Sequence, residues 1–224
     1  MRSTDDLSTR ARIRDAALER YARDGFGVGL RAIAADAGVS AALVLHHFGS
    51  KDGLRRACDE YVSSMMLDTK SALVTGDAGL TMLSYLAHAD DYGPALGYVL
   101  RSLQAGGDLA RQLIDMLVED TMTYLTAGVE AGAVVPSRDE AARARFLVTQ
   151  AVGGLLVEVT TSPHADPSDL SALVRLAVAR TSLPGLELYT EGLLTDRTML
   201  DAYLEHLSAE ADPAENAPTR EETP

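Results

Sequence analysis

Apolar residues recur at helical spacing along almost the whole chain. Ile13, Ala17 and Tyr21 fall every four residues between Arg10 and Asp24, marking one face of a helix that Gly25 closes. Leu30, Ile33, Ala34 and Ala37 predict a short second helix ended by Gly38. Ser40 is placed to cap a third, which offers Leu43, Val44 and Phe48 to a core before Gly49. Ser50 opens a fourth, where Leu54, Ala57, Cys58, Tyr61, Val62, Met65 and Met66 keep the beat to about Leu73. Further helices are predicted at about 79–89, 94–104 and 107–131. Another starts with Ser137 as its cap and ends at about Thr160. Three more follow at about 168–181, 184–194 and 197–209, with Pro184 at a helix start. No strand pattern and no internal repeat is visible, so the chain reads as all-α.

The segments between helices divide the chain. Residues 1–9, which include Arg2, lack periodicity and read as a flexible arm; residues 162–167 (SPHADP) read as a linker. The tail over 211–224 is acidic, Pro-rich and free of aromatics, the composition of a disordered segment. No run of eighteen apolar residues offers a membrane span, and the N-terminus lacks the apolar core of a signal peptide, so the cytoplasm is the expected compartment. A single cysteine, Cys58, allows neither an intrachain disulfide nor a cysteine-built metal site. No cofactor, metal or catalytic residue is expected.

Charge changes the picture. The net charge of −13 argues against nucleic acid as a partner, but residues 1–56 carry +3 and the remainder −16. A surface fit for phosphates is therefore confined to the first quarter of the chain. Within it, Leu30 to Lys51 reads LRAIAADAGVSAALVLHHFGSK, two short helical segments joined at Gly38-Val39-Ser40, and residues 40–48 contain no acid. A helix-turn-helix has these needs: small residues where its helices cross, a glycine turn, and an acid-free outer face to enter the major groove. An ordinary helical hairpin shares the first two features.

The longer run from Ile13 to Tyr61 resembles the N-terminal domain of the TetR/AcrR family of bacterial transcriptional regulators. The matching pieces are a first helix with Ile13, Ala16-Ala17 and Tyr21 ending in DGF, then LRAIAADAGVS, then LHHFGSKDGL. The resemblance implies an all-α fold with an N-terminal three-helix DNA-binding domain over 10–56, its helix-turn-helix at about 29–48. A larger helical ligand-binding and dimerisation domain over 57–210 would follow. It implies a ligand-responsive regulator, in most cases a repressor, that binds a palindromic operator in double-stranded DNA as a homodimer and is released by a small-molecule effector. By the same resemblance residues 30–37, with Arg31, form the bracing helix and Ser40–His47 the recognition helix. Ala41 and Ala42 then approach base edges, while Ser40, His47 and Lys51 hold phosphates. Lys51 has an independent reason for that role, because it adds a cation to the free N–H groups of a helix N-terminus.

Two positions depart from the family pattern. Leu45 stands where tyrosine is common, and Gly29 where serine or threonine usually precedes the second helix. Ala41, Ala42 and Leu45 have no groups that hydrogen-bond bases, but they pack well on thymine methyls; His46 and His47 supply the polar contacts. The expectation is an operator read through thymine methyls and DNA shape. Arg10, Arg12 and Arg14 are candidates for added backbone or minor-groove contacts.

Farther along, Tyr85, His88, Tyr92, Tyr98, Gln104, Met116, Glu119, Met122 and Tyr124 are candidate lining for an effector pocket, apolar with a few polar groups. Small residues in the helix after Pro136 favour close helix packing at a dimer interface. Ala144, Leu147, Ala151, Gly154, Leu155, Leu186 and Tyr189 are its candidates. The competing readings are a helical enzyme or a ligand-binding dimer without DNA binding. Gly25-x-Gly27-x-Gly29 follows a helix rather than a strand, as a phosphate loop would not. The five histidines are scattered, and no Glu-x-x-His pair is present for a di-iron site.

Overall fold

The computed structural model of the chain describes residues 4–76, 84, 87, 92–161 and 169–211. The helix expected at 79–89 falls outside these except for Ser84 and Ala87, and the 162–167 linker and the tail beyond Ala211 lie wholly outside. The described residues are helical without strands: α1 (Thr4–Asp24), α2 (Leu30–Asp36), α3 (Ala41–Phe48), α4 (Lys51–Thr75), α5 (Gly93–Ala105), α6 (Gly107–Glu130), α7 (Glu140–Thr161), α8 (Leu170–Thr190) and α9 (Thr198–Ala211).

Three boundaries differ from the sequence expectation. Helix α1 begins at Thr4, so residues 4–9 are helical rather than a flexible arm. No glycine or proline lies between Thr4 and Asp24, and extending a helix already nucleated on a buried face costs little. Helix α8 runs through Pro184 instead of stopping before it. Proline removes one rung of the backbone ladder, but its fixed φ is itself helical, so it weakens the helix without ending it. Helix α7 takes Asp139 rather than Ser137 as its cap: the Asp139 carboxylate accepts from the Ala142 N–H at 2.8 Å. Ser137 is held one step earlier, where the Glu140 carboxylate accepts from its backbone N–H at 2.8 Å.

The chain divides into two compact units, Met1–Thr181 and Ser182–Pro224. In the first, α1 packs on α2, α4 and α5, α3 on α2 and α4, α4 on α6, and α6 on α7. One buried cluster runs through all of them. It takes Ile13, Ala17 and Tyr21 from α1, Ile33 from α2, Val44 from α3, Leu54 and Val62 from α4, Tyr98 from α5, Leu113 from α6 and Ala144 from α7. Residues 56 and 57 lie inside α4, and the core is continuous across them. Where α4 and α6 come close, a Cβ on Gly128 would lie 3.1 Å from Val74 and 2.6 Å from Val134, which explains glycine there. Cys58 is buried in this core, and burial pushes its thiol up to about 12.

The second unit, over its described residues, keeps Leu183, Leu186, Leu188, Tyr189, Leu193, Leu194, Met199 and Tyr203 exposed. That is a larger share of bare apolar side chains than an isolated soluble unit carries.

Candidate nucleic-acid interface

The candidate interface comprises α2, α3 and the first turn of α4. Helix α2 buries Ile33 and Ala34; its N-cap, Gly29, has no side chain to close the helix. Gly38, at φ +65°, turns the chain where a side chain would be strained. The turn is held by the Val39 N–H donating to the Ala34 carbonyl at 2.9 Å. Ser40 then caps α3, its hydroxyl oxygen accepting from the Leu43 N–H at 3.2 Å. Its own O–H is still able to donate to a phosphate.

Helix α3 is two-sided. Val44 is fully buried and Phe48 nearly so, while Ala42, Leu45 and His46 are exposed; Leu45 is 45% exposed despite being apolar. Ala41 and His47 are half-buried at its edges, and Ala41 packs partly on the core. The imidazoles of His46 and His47 meet edge to face, 5.6 Å between centroids. Arg31 is exposed on α2. The structure thus presents Arg31, Ser40, Ala42, Leu45 and His46 to solvent on neighbouring elements, with Ala41 and His47 beside them.

Lys51 is placed less freely. Its ammonium donates to the Phe26 carbonyl at 2.6 Å, and the side chain is half-buried. That ties the loop after α1 to the start of α4 and leaves two N–H donors on the same nitrogen. Of the three α1 arginines considered for DNA contacts, Arg10 stacks over the Phe48 ring at 4.8 Å and Arg14 over Tyr61 at 3.6 Å, while Arg12 is exposed. Arg10 and Arg14 therefore serve packing first, which the sequence pattern did not reveal.

Two sets of contacts hold the reading unit. Arg20 on α1 spans to both Asp36 on α2 and Asp24, donating to Asp36 through a forked pair and to Asp24 at 2.9 Å. The guanidinium hydrogen bonds from Arg23 and Arg20 hold the Asp24 carboxyl down at about 2, and Arg20 lowers Asp36 in the same way. A depressed carboxyl contributes stability above its unfolded value, near 4, and loses it as pH falls through the folded value. Arg20→Gln is expected to lower Tm at pH 6, and the gap to wild type should close between about pH 4 and pH 2 in acid melts. A gap that stays constant through that range would contradict the assignment.

The second set is on α5. Arg101 donates to the carbonyls of Ala22 at 3.2 Å and Arg23 at 3.1 Å, at the last turn of α1. Tyr98, fully buried, meets Phe26 edge to face at 5.4 Å and donates its hydroxyl to Asp59 at 2.6 Å. Burial raises Asp59, opposed by that hydrogen bond.

The expected effector lining is only partly assembled. Tyr85 and His88 lie outside the described residues. Tyr98 belongs to the buried core, where its ring meets Tyr21 and Phe26 and its hydroxyl meets Asp59, so it faces the packing around α1 rather than an open cavity. Gln104 is exposed near the end of α5, where its side-chain oxygen accepts from Arg101. Tyr92 lies 3.2 Å from the Thr69 hydroxyl, Met116 and Tyr124 are half-buried on α6, and Glu119 and Met122 are exposed. Asp115 pairs with Arg145, and Asp120 accepts from Ser63, so neither stands as a loose acidic group.

The dimer candidates also need correction. Ala144 and Leu155 are buried within the protomer, because the small face of α7 packs inward on α6 and α5, and Leu147 packs on the same core. Ala151, Leu186 and Tyr189 are exposed and Gly154 is half-buried. The outer face of α7 adds Phe146 and Val157, both 56% exposed, which a pattern of small residues does not signal.

Comparison with known proteins decides what this arrangement is. Residues 13–58 match the family model of bacterial regulatory proteins of the tetR family, and residues 90–195 match that of the tetracyclin repressor-like C-terminal domain. The chain is also 50% identical over 204 residues to the HTH-type transcriptional regulatory protein RaaS of Mycobacterium tuberculosis, spanning 91% of this chain and 95% of that protein. The chain belongs to the TetR family. A solved TetR-family regulator from Streptomyces coelicolor is 25% identical, with 81% of this chain and 99% of that one covered and a TM-score of 0.38. Members of the TetR family are DNA-binding transcriptional regulators and not enzymes, and they are usually dimers. The all-α expectation and the TetR resemblance both hold. Among the described residues no helix is long and apolar enough to cross a membrane.

Proposed function

We propose that this TetR-family chain is a cytoplasmic repressor that binds a palindromic operator as a homodimer and is released by a small-molecule effector. The observation that carries the DNA-binding part is the outer face of α3, exposed, free of acids and braced from behind by α2. The charge split supports it, since the basic excess lies where the reading helix is and the acidic remainder repels DNA elsewhere. The Mycobacterium tuberculosis relative, RaaS, is called an HTH-type transcriptional regulatory protein.

One recognition helix covers too few base pairs for specificity, and two copies about 34 Å apart would read both halves of a palindrome. The exposed apolar faces of α7 (Phe146, Ala151, Val157) and of the second unit (Leu183, Leu186, Tyr189) are the surfaces a second copy would cover. For the effector, the half-buried Tyr92, Met116 and Tyr124 are the candidate lining. A ligand favouring a conformer with wrongly spaced recognition helices draws the population away from DNA. The Arg101 and Tyr98 contacts give α5 a grip on α1 through which that shift would pass.

A mobility-shift assay with the DNA upstream of the chain's own gene tests the reading; no retardation at low salt would sink it. On a bound operator, replacing contacted thymines by uracil is expected to cost about tenfold in affinity, since Ala42 and Leu45 have only methyl packing to offer. Unchanged binding would refute methyl readout while leaving DNA binding intact. Lys51→Ala should weaken all duplexes about equally and flatten the slope of log K against log salt by about one.

A further inference from the structure

Beneath the first turn of α4 lies a cavity of about 160 Å³ bounded by Tyr21, Phe26, Lys51, Asp52 and Arg55. Its lining does not suit an apolar packing gap. Arg55 is only 8% exposed, yet its Nε and Nη2 have no hydrogen-bond partner. Its guanidinium carbon lies 3.6 Å from the centroid of the Phe26 ring, so one face is stacked and the edge donors are left over. The Tyr21 hydroxyl, on a fully buried residue, is also without a partner. Lys51 spends one N–H on the Phe26 carbonyl and keeps two. Asp52 is the one carboxylate in the lining and is exposed; Asp59, one turn along α4, gives its carboxylate to Tyr98.

A buried guanidinium with unmet donors is costly. Asp52 and Asp59 offset the charge of Lys51 and Arg55, but neither fills the unmet donors of Arg55 and Tyr21. Water would answer these one at a time, whereas one oxyanion accepts from the guanidinium edge, the ammonium and the hydroxyl together. The Nε and Nη2 pair forms the side-on fork that grips two oxygens of one oxyanion. At about 30 Å³ per water, the space exceeds what one or two waters fill.

We propose that this cavity binds one tetrahedral oxyanion of the phosphate class, gripped side-on by Arg55 and capped by Lys51 and the Tyr21 hydroxyl. The oxyanion is either free in solution or part of a DNA backbone. A free one neutralises Lys51 and so competes with operator.

Thermal melts of the full chain at fixed ionic strength, with chloride exchanged for inorganic phosphate or sulfate, test the free form. Wild type is expected to show a saturable Tm rise of about 2–4 °C. Arg55→Gln is expected to lose it. Should that variant fail to fold, Arg55→Lys keeps the charge without the fork and is expected to retain less than half of the rise. The second arm measures duplex binding against chloride concentration: if the occupant is a DNA phosphate, the salt slope falls by about one in the same variant and no phosphate-specific rise is seen. Equal rises in wild type and variant overturn the proposal, as does the absence of any rise together with an unchanged slope. The first arm contains no DNA, so it stands or falls apart from the operator-binding reading.

Discussion

Gly53→Ala is expected to destabilise the protein by about 3 kcal/mol and to abolish operator binding. A Cβ on Gly53 would sit 2.0 Å from the Phe48 carbonyl oxygen and 3.2 Å from its carbon, and both are backbone atoms with no side-chain freedom to yield. Two adjustments are available. The first turn of α4 frays, losing the bond from the Gly53 N–H to the Ser50 hydroxyl oxygen at 2.9 Å. Alternatively α3 moves away from α4, carrying its outer face out of register with the groove. Either way the helix-turn-helix and the helix behind it lose their fixed relation. Thermal melts and mobility shifts of the variant check this; a wild-type melt with wild-type retardation would show that the two helices are not held as closely as described.

The second large effect is expected at Tyr98. Tyr98→Phe keeps the ring against Phe26 and Tyr21 but leaves the buried Asp59 without its hydroxyl donor, a loss of about 1–3 kcal/mol. Tyr98→Ala removes the ring as well and is expected to cost about 3–5 kcal/mol. The two variants separate polar from packing contributions. If Tyr98→Phe melts like wild type, the Asp59 contact contributes nothing; if Tyr98→Ala costs no more than Tyr98→Phe, the aromatic cluster contributes nothing. Because the cluster joins α5 to the loop after α1, the alanine variant is also expected to blunt any effector response measured by mobility shift.

These two positions show what was and was not legible in the sequence. The helical beat, the glycine turns and the Ser40 and Ser50 caps are local signals, and each is found where the pattern puts it. The acid-free stretch 40–48 is likewise a local signal, and the structure places it on a helix with Ala42, Leu45 and His46 exposed. Tyr98 was misplaced because its partners, Asp59 and Phe26, are far away in sequence, and an aromatic at helical spacing looks alike whether it lines a pocket or fills a core. Ala144 and Leu155 were misplaced by the same ambiguity: small and apolar residues suit a contact inside one protomer as well as one between two. The burial of Arg55 left no trace in the pattern, since a basic residue in a basic segment reads as solvated. Arg10 and Arg14 were hidden in the same way, their aromatic partners lying on other helices.

The two-sidedness of α3 has a consequence for how such a regulator changes over time. Val44 and Phe48 anchor the helix from one side, and Ser40 and Gly49 bound it at its ends, while Ala42, Leu45 and His46 take no part in the buried core. Mutations at those three positions therefore cost the fold little, and under the readout proposed above natural drift there retunes operator preference. A new target sequence would be acquired by exchanging a few outward side chains, with the rest of the molecule inherited unchanged.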